Sequence, residues 1–224
     1  MTRTGGSRWT RGAGLERIRS KLELIRQVEA VHGFGVIIEG ARNPEPVPEL
    51  PQGVTEVFGL FYRLGANYFR FFQPDEIQGP AAWAARATVP DCPLGSPLTI
   101  GCERHRAPEG IECGSGIWLD LDDGDVYYCD IDDYIRLYKH PDETIDVLVF
   151  ANDIVTFFDR FVLGPAYPQL VAAVIGPGIV TNRDRRGRYQ DRWFRLLVES
   201  GLARADSKEA IWEMPDVTRL TLSD

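Results

Sequence analysis

Gly116-Ile-Trp-Leu-Asp-Leu-Asp-Asp-Gly-Asp-Val-Tyr-Tyr-Cys129 is the stretch on which the reading of this chain turns. Gly116 to Leu121 and Val126 to Cys129 are rich in the β-branched and aromatic residues that favour strands. Between them, Asp123-Gly124 offers the left-handed backbone that a tight hairpin needs. Successive side chains on a strand point to opposite faces, so Asp120 and Asp122 share one face while Leu119 and Leu121 share the other. One face is therefore wet and one packed. That is the signature of an antiparallel hairpin on a core.

Working upstream, Leu98-Thr-Ile100 and Tyr68-Phe-Arg-Phe-Phe72 read as further strands, the second bounded by Asn67 and Pro74. A short alanine-rich helix is expected at about 80 to 87, with Trp83 on its apolar side. Val54, Val57, Phe58, Phe61 and Leu64 recur at helical spacing and predict an amphipathic helix ending at Gly65. Four prolines between Asn43 and Pro51 exclude helix and central strand, leaving an extended linker. Val36-Ile-Ile38 is a short strand or connector. Leu15, Ile18, Leu22, Ile25 and Val28 predict an N-terminal amphipathic helix over 15–31, stopped at Gly33.

Downstream, Tyr134 to Tyr138 and Ile145 to Phe150 are expected to be strands. A longer helix then begins near Asn152 or Asp153, either of which can cap free N–H groups. Its apolar positions are Ile154, Phe157, Phe158, Phe161 and Val162, and Gly164-Pro165 ends it. Past 176 the reading is Gly/Pro- and Arg-rich loops around one helix at about 189 to 200. The class is α+β: an antiparallel or mixed sheet of about five to six strands packed by helices. The expected organisation is a flexible basic N-terminus over 1–14, one α+β domain over 15–176, and a C-terminal extension over 177–224 packed on it.

The 224 residues are 44 % apolar and 26 % charged, ordinary for a globular protein and enough for a core without metal or disulfide staples. No apolar run approaches the roughly 18 residues of a membrane span, and no apolar stretch follows the basic N-terminus as a secretory signal would require. The expected compartment is the cytosol. The net charge of -8 argues against a general nucleic-acid binder.

That total hides an uneven distribution. Met1 to Arg26 carries seven basic and two acidic residues, +5 in all. Glu103 to Asp159 carries 15 acids and four bases, -11 in all. A second basic knot, Arg183-Asp-Arg-Arg-Gly-Arg188, lies near the C-terminus.

Catalytic motifs are absent: there is no Gly-x-Gly-x-x-Gly, no phosphate loop, no Gly-x-Ser-x-Gly and no His-Glu-x-x-His. His32, His105 and His140 sit in unrelated contexts. Cys92, Cys102, Cys113 and Cys129 form no Cys-x-x-Cys pair, so they read as reduced, partly buried thiols. A zinc site from Cys92, Cys102, His105 and Cys113 lacks the usual paired spacing. The Asp-Leu-Asp-Asp-Gly-Asp run invites a calcium-loop reading, but its glycine falls one place early and Ile131 stands where the closing glutamate belongs. No cofactor is expected. The seven aspartates between 120 and 133 leave one enzymatic alternative, a divalent-metal-dependent hydrolase.

The order of these elements resembles the SUKH superfamily, whose bacterial members are mostly immunity proteins against polymorphic toxins. Leu50-Pro51 with the helix after it, ending near Phe61-Tyr62, is similar to the family's opening segment. Gln73-Pro-Asp-Glu-Ile77 is similar to its Pro-x-Glu-hydrophobic step. Ile100-Gly101 with the 116–128 hairpin is similar to its central Gly-rich hairpin. Ala151-Asn-Asp-Ile-Val-Thr-Phe-Phe158 resembles its closing helix, with Asp153 and Ile154 where Ser and Phe are usual. The likeness covers about 50 to 165; the loop from Cys102 to Cys113 is longer than the family's, and both ends of the chain fall outside it.

The resemblance implies a non-enzymatic protein that binds and blocks a cognate toxin, often a nuclease or deaminase; with the composition, this leaves a basic protein as the expected partner and neither nucleic acid nor membrane. An acidic surface suits a basic toxin groove. The candidate contact residues are Asp120, Asp122, Asp123, Asp125, Asp130, Asp132 and Asp133, with Tyr127, Tyr128 and Tyr134 as aromatic candidates that fit either an interface or the core. A scaffold or regulator of the same fold without a toxin partner shares every one of these features.

Overall fold

The computed structural model describes residues 8–42, 44–86, 97–105, 115–140, 144–205 and 216–221. Its frame is one antiparallel sheet of eight strands whose spatial order equals their order in sequence. The strands are β1 (Ile37–Glu39), β2 (Arg63–Gly65), β3 (Phe69–Phe72), β4 (Leu98–Glu103), β5 (Gly116–Leu119), β6 (Val126–Tyr128), β7 (Thr144–Ala151) and β8 (Asp216–Thr221). The hairpin that opened the reading is β5–β6, paired Ile117 to Tyr128 and Leu119 to Val126.

The α+β class and antiparallel pairing stand, but the strand count among the described residues is eight rather than five to six. β2 was expected to be the end of a helix. Helix α2 spans only Val54–Phe58, and Leu60 N–H closes its last turn on the Val57 carbonyl, 3.0 Å away. Phe61 and Leu64 are then buried from an extended backbone. β8 is the other addition. It pairs with β7 from Thr144↔Thr221 to Val149↔Asp216, so the C-terminal stretch belongs to the sheet itself.

The reverse correction falls on 134–138, expected as a strand. It lies in helix α4 (Ile131–Lys139). Asp130 caps this helix by accepting from the Asp132 N–H at 2.9 Å. Asp132 and Asp133 occupy the first turn and Arg136 and Lys139 the last, matching the helix dipole at both ends. These end charges outweigh the β propensity of the tyrosines.

The remaining helices cover one face of the sheet. Helix α1 (Arg8–His32) begins within the stretch expected to be flexible and packs on helix α7 (Arg192–Glu199). Helix α3 (Pro80–Ala84) buries Trp83. Helix α5 (Ile154–Thr156) is capped by Asp153, which accepts from the Thr156 N–H and hydroxyl, both at 2.7 Å. It continues into a π-helical segment, Phe157–Val162, followed by helix α6 (Tyr167–Val174).

The main core lies between these helices and the sheet. Ile18, Leu22 and Ile25 of α1 meet Phe58, Phe61, Phe69, Phe71, Phe157 and Phe158. Phe158 packs with Phe58, Phe61 and Phe71 at centroid distances of 5.9, 5.0 and 5.8 Å, within the range of favourable ring contacts. A smaller cluster, Tyr127, Cys129, Ile145 and Val147, occupies alternate positions on β6 and β7 from the main core's Val126 and Tyr128. Helix α4 lies against β7. No helix among the described residues is long and apolar enough to cross a membrane.

Candidate functional site

The candidate aspartates divide into two groups. Asp120, Asp122, Asp123 and Asp125 stand on the β5–β6 turn. Asp130, Asp132 and Asp133 stand beyond the other end of β6, whose three residues span roughly 10 Å.

On the turn, two carboxylates organise backbone. Asp120 Oδ1 accepts from the N–H groups of Asp122 at 2.7 Å and Asp123 at 3.4 Å, and Asp123 Oδ1 accepts from Asp125 N–H at 2.9 Å. The loop closes with Asp120 N–H on the Asp125 carbonyl at 2.8 Å. Gly124 takes φ +85°, the left-handed region that its lack of Cβ permits. Burial, followed by the nearby charges of Asp123 and Asp122, pushes the Asp120 carboxyl above the usual carboxylate range against its two backbone hydrogen bonds. Asp122 and Asp123 are exposed, and Asp125 is half-buried.

At the second group, Asp130 caps α4 and also accepts from the Tyr128 hydroxyl at 3.1 Å. Asp133 pairs with Arg136 at 3.4 Å, and Asp132 is exposed. Tyr127 and Tyr128 are both buried. Tyr127 stacks edge-on against Trp118 in the smaller cluster, and Tyr128 joins the main core. Burial first, then the Asp130 charge, raises the Tyr128 hydroxyl to about 12. Contact with a partner through either ring would require opening the sheet face, so Asp122, Asp123 and Asp132 are the candidates left facing solvent. The side chain of Tyr134, on α4, lies outside the described residues.

The cysteine expectation changes. Cys102, on β4, is disulfide-bonded, so it is neither a reduced thiol nor a zinc thiolate. Cys92 and Cys113 lie outside the described residues. Cys129 is free and buried, its thiol pushed up to about 12 by burial and by the charges of Asp133 and Asp130. Among the described residues no three His, Cys, Asp or Glu side chains converge to hold a metal ion. The basic knot at 183–188 is a closed turn: Asp184 Oδ2 accepts from Arg188 Nε and an Arg188 terminal nitrogen at 2.9 and 2.7 Å. Those bonds hold the half-buried Asp184 carboxyl down at about 2.

One concave site was not foreseen. A cavity of about 330 Å³ opens beside β2, β3 and β4, lined among others by Tyr62, Arg63, Arg70, Phe72, Gln73 and Thr99. Arg63 and Phe72 are register partners, as are Gly65 and Arg70, which puts both guanidinium stems on one face of the sheet. The Tyr62 ring carries the Arg42 guanidinium at 3.4 Å and that of Arg63 at 4.9 Å from its centroid. Gln73 is 2 % exposed, and neither atom of its side-chain amide has a hydrogen-bond partner among the described residues. The sequence signal was present in Arg63 and Arg70 but unreadable, because β2 was assigned to a helix. Comparison of the chain with protein-family models, with curated proteins and with solved structures finds no match.

Proposed function

We propose that this chain is a non-enzymatic protein-binding module of the SUKH immunity type, which neutralises a basic, nuclease- or deaminase-like toxin through its acidic turn. One observation carries the reading. Asp122 and Asp123 project from a turn whose backbone is already fixed by its own carboxylates, within a segment of charge -11. A preorganised charged loop loses little freedom on docking, and its field accelerates encounter with a basic groove. Asp132, exposed at the start of α4, extends the same sign of charge.

The test is co-expression with the products of neighbouring genes, followed by capture on the tagged chain and an assay of the captured protein's activity. A stable complex with a basic toxin whose activity it blocks is the expected result. Failure of every neighbouring basic product to bind would sink the proposal, and binding without inhibition would favour the scaffold reading. Against the hydrolase alternative, the aspartates it needs are split between the two ends of β6 and three of them, Asp120, Asp123 and Asp130, organise backbone.

A further inference from the structure

Among the described residues, Gln73 is a buried polar side chain that the fold leaves unsatisfied. A buried primary amide has two donors and an acceptor to satisfy, and leaving them unmatched costs free energy that a leucine at the same place would not. Such a group persists where something outside the chain completes it. It lines a cavity of about 330 Å³, within the size range of small-molecule sites and too small for a folded partner.

The rest of the wall states what would fit. Arg63 and Arg70 bring two guanidinium groups to one face of the sheet, suited to phosphate or carboxylate. Phe72, half-buried, offers an aromatic surface, and the Arg63 guanidinium is itself a plane on which rings stack. Asp75 and Glu76 also line the cavity and can accept from hydroxyl or amine groups, although Asp75 already accepts from Gln78 Nε2 at 2.7 Å. A bare inorganic anion would meet the guanidinium groups and leave Gln73 unmatched.

We infer that the β2–β3–β4 cavity binds a small organic anion with a planar aromatic end whose edge presents a hydrogen-bond donor and acceptor side by side to Gln73, and whose negative group meets Arg63 and Arg70. Nucleoside monophosphates have this chemistry in the base edge and phosphate; aryl carboxylates that carry a primary amide have it in the carbamoyl group and carboxylate. The site is separate from the acidic turn, which joins β5 to β6, and its ligand can be sought without any protein partner.

The test uses the full chain in calorimetry and thermal-shift titrations with AMP, GMP, CMP and UMP, with 4-carbamoylbenzoate as the primary-amide aryl carboxylate, and with inorganic phosphate. At least one organic anion should bind with one-to-one stoichiometry, the nucleotide and carbamoylbenzoate arms telling the two sources apart. Gln73→Leu should weaken it at least about tenfold, the scale of one or two lost hydrogen bonds, while the unliganded variant melts at or above the wild-type temperature. Arg63→Ala should weaken every organic anion and serves as the second variant if Gln73→Leu does not fold. No binding up to millimolar concentration overturns the inference. So does inorganic phosphate binding as well as the organic anions, or binding that Gln73→Leu and Arg63→Ala both leave intact.

Discussion

The Tyr167 hydroxyl donates to Asp191 Oδ2 at 2.7 Å in a site with no solvent exposure on either residue, tying the start of α6 to the start of α7. The other oxygen of Asp191 accepts from the N–H groups of Trp193 and Phe194 at 2.9 and 3.2 Å, so one carboxylate caps α7 and satisfies a buried phenol. Trp193 Nε1–H in turn donates to the Val162 carbonyl at 2.9 Å. Three helical segments are thus fastened around one acid. Burial drives the Asp191 carboxyl up to about 6, against the pull of those hydrogen bonds.

That shift has a signed consequence. The folded chain holds a proton on Asp191 that an unfolded aspartate, near 3.8, has already released. Its contribution to stability is therefore fully present below about pH 4, falls between about pH 4 and 6, and is level above. The fall is on the order of 3 kcal/mol. Asp191→Asn keeps an oxygen for the helix cap but cannot titrate. The difference in urea-unfolding free energy between wild type and this variant should change with pH across that window and nowhere else; parallel profiles would refute it. Asp191→Ala removes both the cap and the phenol's partner and should cost about 2–4 kcal/mol at pH 7.

Asp159 makes a second fastening, between the π-helical segment and α1. Lys21 Nζ donates to its Oδ1 at 2.7 Å and to its backbone carbonyl at 2.6 Å, while Arg17 reaches Oδ2 at 2.9 Å. The side chain of Lys21 is 19 % exposed and that of Arg17 56 %, so the two bonds are unequal. Lys21→Met should cost about 3 kcal/mol by leaving a largely buried carboxylate short of its closest charge. Arg17→Ala should cost less than about 1 kcal/mol. Chemical denaturation of both variants checks the order, and equal losses would show that burial does not set the difference.

Thiol chemistry separates the cysteines. Cys129 is buried and its thiol is raised to about 12, so almost no thiolate exists at neutral pH and access is blocked as well. It should resist iodoacetamide in the native chain at pH 8 and react once the chain is unfolded. Cys102 should stay unlabelled even in denaturant until a reductant opens its disulfide. Reduction should lower Tm, as loss of a disulfide cross-link commonly does. Peptide mass mapping with and without reductant reads the labelling and a thermal melt reads the Tm, and labelling of Cys102 in unreduced, unfolded chain would contradict the bond.

The parts of the fold legible in sequence were those with a strong period or an explicit turn. The β5–β6 hairpin was readable because Gly124 breaks an alternating run, and α1 because its apolar stripe faces one side only. Helix α6 was not readable, since Tyr167, Leu170, Val171, Ala172 and Val174 are buried around its whole circumference and leave no polar face to mark a period. At Phe61 and Leu64 the helical spacing was genuine but accidental, and tertiary pairing with β3 overrode it. Tyr134 and Tyr138 carried strand propensity, yet the capping carboxylate of Asp130 and the charges at both helix ends decided for α4. The acidic turn was legible as residues, whereas the division of labour among its aspartates was not: which carboxylate turns inward depends on backbone geometry that composition does not encode. The cavity depended on bringing residues 63, 70 and 73 together across β2 and β3, a register invisible while β2 read as helix.

That division of labour yields the sharpest expectation for the proposed binding role. Asp120 holds two N–H groups of the turn, so Asp120→Ala should destabilise the chain by about 1 kcal/mol and disorder the loop. Asp122 is exposed and donates only its backbone N–H to the turn, so Asp122→Lys should leave Tm nearly unchanged. In binding the order reverses in kind. Asp122→Lys, alone or with Asp132→Lys, should slow association with a basic partner and flatten its salt dependence, because long-range attraction acts on encounter and is screened within roughly 8 Å at physiological ionic strength. Asp120→Ala should instead weaken binding through faster dissociation, since a loosened loop must be reordered in the complex. Stopped-flow association at two salt concentrations separates the two effects. If both variants alter only dissociation, the turn acts through short-range contacts and electrostatic steering is refuted; if neither alters binding, the acidic turn is not the interface.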